Sequence, residues 1–372
     1  MAHIKLPHQV LQNFCLEAFE KFGFTSEQAN IITDVLLLSD LYGIESHGMQ
    51  RLSRYHKGIE KGMIKVDAQA EVVFETPVSA VIDGHAGMGQ IISKDAMDIA
   101  IAKAKTSGMA IVTVRNSNHY GIAGYYAKMA SDQGLIGMSF TNSEAIMVPT
   151  FGTMAMLGSN PIAIAAPAKP YPFFFDASTT VVTRGKLEMY RKAEKQLPEG
   201  WALDKDGNPS TDAPYVLDNI ANKKGGGIMP TGGAVEQTGS HKGYGYGMIA
   251  EFFTSILSLG LTSNHTHIGD VGGTCHGFIA IDPNIFGDAQ AIEDHLSTFL
   301  KELRETPATP GNQVYTHGQK EVAAYAKRTE EGIDVDEKTV AEMAQLAAFV
   351  GVDFNKYFGE LDLDLSEYQS EY

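Results

Sequence analysis

Ser46-His47-Gly48-x-x-Arg51-x-x-x-Tyr55 is the first stretch of the chain whose residue types could do chemistry. Ser46 and His47 stand just before a helix expected over about 49–61, and the first N–H groups and dipole of such a helix favour an anion. Arg51 and Tyr55 are four apart and share one helix face. An imidazole, a guanidinium and a phenol converging there could hold a carboxylate and exchange a proton with its neighbouring oxygen. Arg suits the first task because its planar fork grips a carboxylate through two parallel bonds. The same letters also describe a Ser N-cap on a solvated basic helix that carries Arg54 and Lys57.

A second cluster, Asn116-Ser117-Asn118-His119-Tyr120-Gly121, follows an apolar run at 110–114 and opens a helical pattern at about 119–133. α/β folds place chemistry at such strand ends, and the pKa of His near neutrality suits it to proton exchange. A third set consists of small or polar turns: Asn142-Ser143-Glu144, Ser159-Asn160-Pro161, Asp176-Ala177-Ser178-Thr179-Thr180 and Ser240-His241-Lys242-Gly243. Gly in such turns admits close backbone approach, and Lys242 could meet a phosphate of a cofactor. A fourth, Asn264-His265-Thr266-His267-x-x-Asp270, nearly matches a metallohydrolase ligand run, with the aspartate displaced by one residue. It supports the alternative of a metal-dependent hydrolase built on His265, His267 and Asp270, although these histidines also suit a plain loop. Gly-x-Gly-x-x-Gly, the P-loop, His-Glu-x-x-His and Gly-x-Ser-x-Gly are all missing, so the usual evidence for a Rossmann site, a nucleotide kinase, a zincin or a hydrolase elbow is lacking.

The elements that must position these residues are partly legible. Residues 8–22 carry Leu11, Phe14, Cys15, Ala18 and Phe19 at helical spacing. Thr25 with Gln28 forms a capping box for a second helix. Gly43–Gly48 ends that helix, which leaves an all-helical opening block. From about residue 79, short apolar runs at 80–82, 110–114, 136–140, 162–165 and 278–281 alternate with helical patterns, as in an α/β core. Residues 219–243, rich in Gly and Lys, read as a mobile loop. A further helix is expected at 244–260, and the tail from 329 is helical and acidic.

The chain has 372 residues, and its 29 Lys+Arg against 45 Asp+Glu give a net charge of −16. That surface repels nucleic acid and anionic lipid. No apolar run approaches the length of a membrane span, and the first residues do not read as a signal peptide. Two cysteines, Cys15 and Cys275, make no disulfide framework, so a reducing cytoplasm is expected.

Taken in order, these segments resemble the malate/L-lactate dehydrogenase family that lacks a Rossmann fold, which also includes ureidoglycolate and sulfolactate dehydrogenases, diketogulonate reductase and piperideine-2-carboxylate reductase. The likeness runs collinearly over about residues 5–325. It is carried by Ile44-Glu45-Ser46-His47-Gly48, Asn118-His119-x-Gly121, Ser159-Asn160-Pro161-Ile162-Ala163, Phe175-Asp176-Ala177-Ser178, Arg184-Gly185-Lys186, His241-Lys242-Gly243-Tyr244-Gly245 and Gly318-Gln319. The resemblance implies a non-Rossmann NAD(P)-binding mixed sheet flanked by helices. A helical substrate-side domain is expected from 1–75 plus 285–372, and a cofactor-binding domain from 76–284. It implies a hydride exchanged between NAD or NADP and a small 2-oxo or 2-hydroxy acid, in a homodimer with the active site near the subunit interface. His119, or His47, would exchange the proton and Arg51 would hold the carboxylate, with Ser46 and Tyr55 nearby. Ser143, Asp176, Ala177, Ser178, Lys242, Gly243, Gly318 and Gln319 would contact the cofactor. A cyclic imino acid reductase using the same Arg51 clamp is a close alternative. The chain departs from the family at Glu144, where ureidoglycolate dehydrogenase has Asp, and around 220–241, where it is longer.

Overall fold

A computed structural model describes residues 3–267 and 272–363. The chain opens with strand β1 (His3–Leu6) and helices α1 (His8–Lys21), α2 (Ser26–Leu41) and α3 (Leu52–Glu60). Strands β2 (Glu71–Thr76) and β3 (Ser79–Asp83) lead through helix α4 (Gly89–Ser107) to β4 (Met109–Ser117), helix α5 (Ala123–Ser131) and β5 (Ile136–Thr141). Then come β6 (Ile162–Ala166), β7 (Phe173–Ala177), helix α6 (Arg184–Lys192), the short strands β8 (Ala202–Leu203) and β9 (Pro209–Ser210), helix α7 (Ala213–Ala221) and β10 (Gly227–Ile228). Helix α8 (Ser240–Glu251) runs into a π-turn at Phe252–Ile256, followed by β11 (Thr274–Ile281), α9 (Ala289–Glu305), α10 (Gln319–Glu331), β12 (Ile333–Asp336), α11 (Glu337–Val350) and α12 (Phe354–Phe358).

Seven strands form the central mixed sheet in the order β2-β3-β4-β11-β5-β6-β7. Only β3 and β4 pair in parallel, across α4; the other pairings are antiparallel. The expected mixed sheet flanked by helices is therefore present. Two of its strands escape the apolar-run reading. β2 is exposed along its length, and β7 begins as Phe173-Phe174-Phe175 but ends in the turn-like Asp176-Ala177.

Three apolar clusters hold the molecule together. α1, α2 and α3 pack with β12, α11 and α12 around Phe14, Phe19, Leu36 and Met343. β1 pairs with β12 and so ties the start of the chain to its end. The capping box predicted for α2 is present: Thr25 accepts from the N–H of Gln28 and the Gln28 side chain accepts from the N–H of Thr25. Cys15 and Cys275 are both free and fully buried. α4 and α5 cover one sheet face with Ala96, Ala100, Val112, Tyr126 and Phe278. α6, α7, β8 and β10 enclose a smaller third cluster with Leu187, Val216 and Ile228.

The structure departs from the expected single mobile loop at 219–243. Gly225–Pro230 is buried and β10 pairs with β8; the exposed residues lie at Ala221–Lys224, between Thr231 and Thr238, and at His241 and Lys242. Ile228 and Met229 each supply an apolar side chain to a small core, which overrides the loop character of the surrounding glycines. No helix among the described residues is long and apolar enough to cross a membrane.

Candidate active site

The segment carrying the first cluster is bent more tightly than a continuous helix. Glu45–His47 and Met49–Arg51 form two 3-10 turns, and α-geometry begins only at Leu52. The bend is fixed from below by Asp40, whose Oδ2 accepts from the Met49 N–H at 2.8 Å. A Cβ at Gly48 would overlap the Asp40 carboxyl, so only glycine lets the chain pass so close. Burial pushes the Asp40 carboxyl up to about 7, against the Met49 N–H, which favours the ionised form. Bent this way, Ser46 serves both neighbours: its hydroxyl lies 2.8 Å from His47 Nδ1, and its carbonyl accepts from Arg51 Nε at 2.7 Å.

His119 arrives from the other side of the molecule, in a turn between β4 and α5. Asn118 anchors that turn by donating to the carbonyls of Met63, Ala86 and Gly87, each at 3.0 Å. Beneath it the fully buried His276 stacks on Tyr120 at 4.4 Å and meets Thr141, Ser117 and the Asn118 carbonyl through its two ring nitrogens. The His119 ring lies 5.4 Å from that of His47, stacked at 23°. Its Nδ1 is 2.8 Å from the Tyr55 hydroxyl, with the Gly121 N–H at 3.4 Å from the same atom. No hydrogen bond is made by Nε2 among the described residues.

A cleft enclosing about 760 Å³ of open space is walled by His47, Arg51, His119, Ser143, Glu144 and Arg184. Tyr55 lines an adjoining opening that shares His119, Glu144 and Arg184 with the cleft, together with Lys57 and Lys61. Ser46 faces neither; it borders a separate hollow with Asp40 and Glu45. Burial, then Arg51 and Arg54, depress His47 to about 3. Burial first, then Arg54, His47 and Arg51, holds His119 well below its usual value. Both rings are therefore neutral near pH 7.

The eight residues expected to contact the cofactor lie along one path. Ser143 Oγ accepts from the Ser159 N–H, the Ser159 carbonyl from the Thr179 N–H, and the Thr179 carbonyl from the Thr231 N–H. Gly243, in the first turn of α8, packs against that same Thr231. Ala177 and Ser178 precede Thr179 at the end of β7. Asp176 accepts from the Gly124 N–H at 2.7 Å, and burial raises its carboxyl to about 6. At the other end of β7, Phe174 donates to the His317 carbonyl, which brings Gly318 and Gln319 alongside. Gly318 has φ +100°, a Cβ there would overlap the Pro172 carbonyl, and the buried Gln319 Oε1 has no partner. An unpaired buried amide oxygen on Gln319 and Lys242 on a helix's first turn suit a dinucleotide laid along β7.

Two groups on the wall of the cleft, Arg54 and Arg184, were not singled out as site residues from the sequence, and a third, His267, was read there only as a ligand of the hydrolase alternative. Arg54 stands one helical turn beyond Arg51. Arg184 donates to Glu144 at 2.7 Å and to Glu188 at 3.0 Å. Burial works to raise the Glu188 carboxyl, but Arg51, Arg184 and Arg54 outweigh it and hold it below the usual range. His267 also faces the cleft; its buried Nδ1 lacks a partner, and burial and Arg54 lower the ring to about 4. His265 is exposed beside Asn264. Asp270 lies outside the described residues, and no group of three metal-ligating side chains occurs among the described ones.

A mixed sheet of this order thus brings two imidazoles and an arginine to one cleft. The sequence profile described as malate/L-lactate dehydrogenase matches residues 6–344, and the chain belongs to that family. It is 40% identical to a malate dehydrogenase of Pyrococcus horikoshii over 94% of this chain and 97% of that one. An L-sulfolactate dehydrogenase of Methanocaldococcus jannaschii is 35% identical over 92% and 96%. The crystal structure of malate dehydrogenase from Entamoeba histolytica superposes with a TM-score of 0.91 at 34% identity, covering 94% of this chain and 99% of that one. The family makes this chain a hydroxyacid dehydrogenase and leaves the hydrolase alternative without support.

Proposed function

We propose that this protein interconverts a small 2-oxo acid and its 2-hydroxy acid with NAD or NADP, that His119 exchanges the proton and that Arg51 holds the substrate carboxylate. The observation carrying this reading is the 5.4 Å stacking of His47 on His119 above a cleft shared with Arg51. The dinucleotide supplies the hydride when bound along β7 beside Ser143, Asp176, Ala177, Ser178, Lys242, Gly243, Gly318 and Gln319. Arg51 is held by its Nε bond to Ser46, and its planar guanidinium, on the wall of the cleft, suits it to orient a carboxylate.

A neutral imidazole is the right form to accept the hydroxyl proton when a hydroxy acid is oxidised. Tyr55 supports this by turning its hydroxyl to donate to, or accept from, Nδ1, so that His119 can carry its proton on either nitrogen. In the reverse direction the anionic substrate draws the His119 pKa upward and favours the protonated ring. His47, neutral and locked by Ser46, packs against the working imidazole and excludes water.

Residues 1–75 plus 285–372 form the substrate side in this reading, and 76–284 the cofactor side. The enzyme works as a homodimer in the cytoplasm, with its active site near the subunit interface. The test is oxidation of reduced nicotinamide over a panel of oxaloacetate, pyruvate, sulfopyruvate and a cyclic imino acid. His119→Ala should lower turnover by at least ~100-fold, the usual scale of general acid–base catalysis. A variant with near-parental rate would remove His119 from the mechanism.

A further inference from the structure

Helix α8 turns large apolar side chains outward, Tyr246, Met248 and Ile249 among them, and buries small ones. Gly243, Gly247 and Glu251 stand at four-residue spacing and share its inner face. Each meets the cofactor path at a successive point. A Cβ on Gly243 would overlap the Thr231 backbone, and one on Gly247 would crowd the Thr179 hydroxyl. Glu251 closes the row. It is only 6% exposed, and it is the one charged residue between Lys242 and His265.

A carboxylate so buried must replace its water with hydrogen bonds. Among the described residues, five donors supply them, and all are neutral. Oε1 accepts from Asn142 Nδ2 at 3.1 Å, Ser255 Oγ at 2.8 Å and the Ser263 N–H at 2.9 Å. Oε2 accepts from Asn160 Nδ2 at 2.8 Å and Ser263 Oγ at 2.6 Å. Asn142 precedes Ser143 and Asn160 follows Ser159, and the bond from the Ser159 N–H to Ser143 Oγ joins those two turns. One carboxylate therefore ties both turns together from behind, and it stands on the helix that carries Lys242. The two amides cannot turn over to suit another group. Asn142 Oδ1 takes the Cys275 N–H, and Asn160 Nδ2 also donates to the Gly247 carbonyl. Only a side chain that accepts at both of its ends fits between them.

We propose that Glu251 is a positioning residue that holds the Asn142–Ser143 turn, the Ser159–Asn160 turn and α8 in one arrangement, and so sets where the dinucleotide lies. The inference rests on the cofactor path proposed above. Arg51 and His119 stand on other elements, so the acid is held independently of this carboxylate. Hydride transfer needs both reactants in near-attack geometry, which gives the positioning its consequence for turnover.

Glu251→Gln keeps the size but sets an amide N–H against one of the two fixed donors. Fluorescence titration of the purified full chain with NADH and with NADPH reads cofactor binding without turnover. The Kd of whichever binds the parent more tightly should rise at least ten-fold. The oxo-acid KM at saturating cofactor should stay within two-fold. Ser255→Ala removes a donor that belongs to neither turn and should leave both constants in place; a ten-fold rise there too overturns the assignment. Should Glu251→Gln not fold, Asn160→Gly decides, because glycine keeps the φ of +35° while losing the amide. Its cofactor Kd should rise at least five-fold. A carboxylate that only supports the fold would lower the melting temperature and leave the cofactor Kd alone. That result, or an equal rise in both constants, overturns the proposal. A parent that binds neither dinucleotide overturns the cofactor path itself, and this inference with it.

Discussion

The Tyr55 hydroxyl stands 2.8 Å from His119 Nδ1, joining α3 of the helical block to the turn after β4 of the sheet. The two residues are 64 positions apart in sequence, and their bond occupies Nδ1 of His119, so the proposed proton exchange falls to Nε2. Tyr55→Phe keeps the ring and removes this partner. Turnover should fall by about 10- to 100-fold, the worth of one hydrogen bond to a group that becomes charged, with the substrate KM little changed. The pH–rate profile should shift along with it. Steady-state kinetics with an unshifted profile and parental kcat would show that the phenol only fills space.

Arg51→Lys keeps the charge but loses the fork and the Nε bond to the Ser46 carbonyl. The oxo-acid KM should rise by roughly 10- to 100-fold with the cofactor KM unchanged. Initial-rate measurements varying each substrate in turn give both values. A change confined to the cofactor would move Arg51 out of its assigned role.

Glu144 ties up one side of the Arg184 guanidinium at 2.7 Å, within the cleft. Glu144→Gln weakens that tie while the Arg184 bond to Glu188 at 3.0 Å stays in place. The ratio of kcat/KM for oxaloacetate over pyruvate should rise by about ten-fold, since the second carboxylate then competes for a less neutralised arginine. An unchanged ratio across the two acids would show that Arg184 is purely structural.

Gly318→Ala should cost about 1–3 kcal/mol of stability, because φ is +100° and the new methyl group would overlap the Pro172 carbonyl. Thermal denaturation measures the loss. The cofactor KM should rise as β7 and the start of α10 are pushed apart, while the oxo-acid KM holds.

Acid should destabilise the fold through its buried histidines. His276 is lowered to about 3 by burial, and in the unfolded chain it titrates near 6.5. Between those values the unfolded state binds a proton that the native state does not, so this contribution is full above about 6.5 and is lost as pH falls toward 3. His47 acts in the same sense down to about 3, while Asp40, raised by burial to about 7, acts in the opposite one. Urea unfolding from pH 7 to 5 should therefore show stability falling, and His276→Asn should flatten that slope. A slope unchanged by the substitution would mean the ring is already charged in the native protein.

Local pattern was enough for much of this molecule. The i, i+3, i+4 spacing of Leu11, Phe14, Cys15 and Ala18 gave α1 its buried side, and Thr25 with Gln28 marked the start of α2, because both depend on contacts within a few residues. Arg51 and Tyr55 could be placed on one turn for the same reason. β7 was hidden by its turn-like end, and the 225–230 segment by glycines that read as a loop until β8 and two small clusters bury it.

Residue types, short-range spacing and the ordered family stretches were thus set by the sequence alone: a hydroxyacid dehydrogenase, with His47, Arg51 and His119 as candidate site residues. Tertiary structure decided which of them meet. It stacked two imidazoles 72 positions apart, put Ser46 behind rather than inside the cleft, brought Arg184 and Glu144 to its wall, and turned the apolar side of α8 outward. Those facts follow from long-range packing of helices against a sheet, where position depends on every element between two residues and no local period records it.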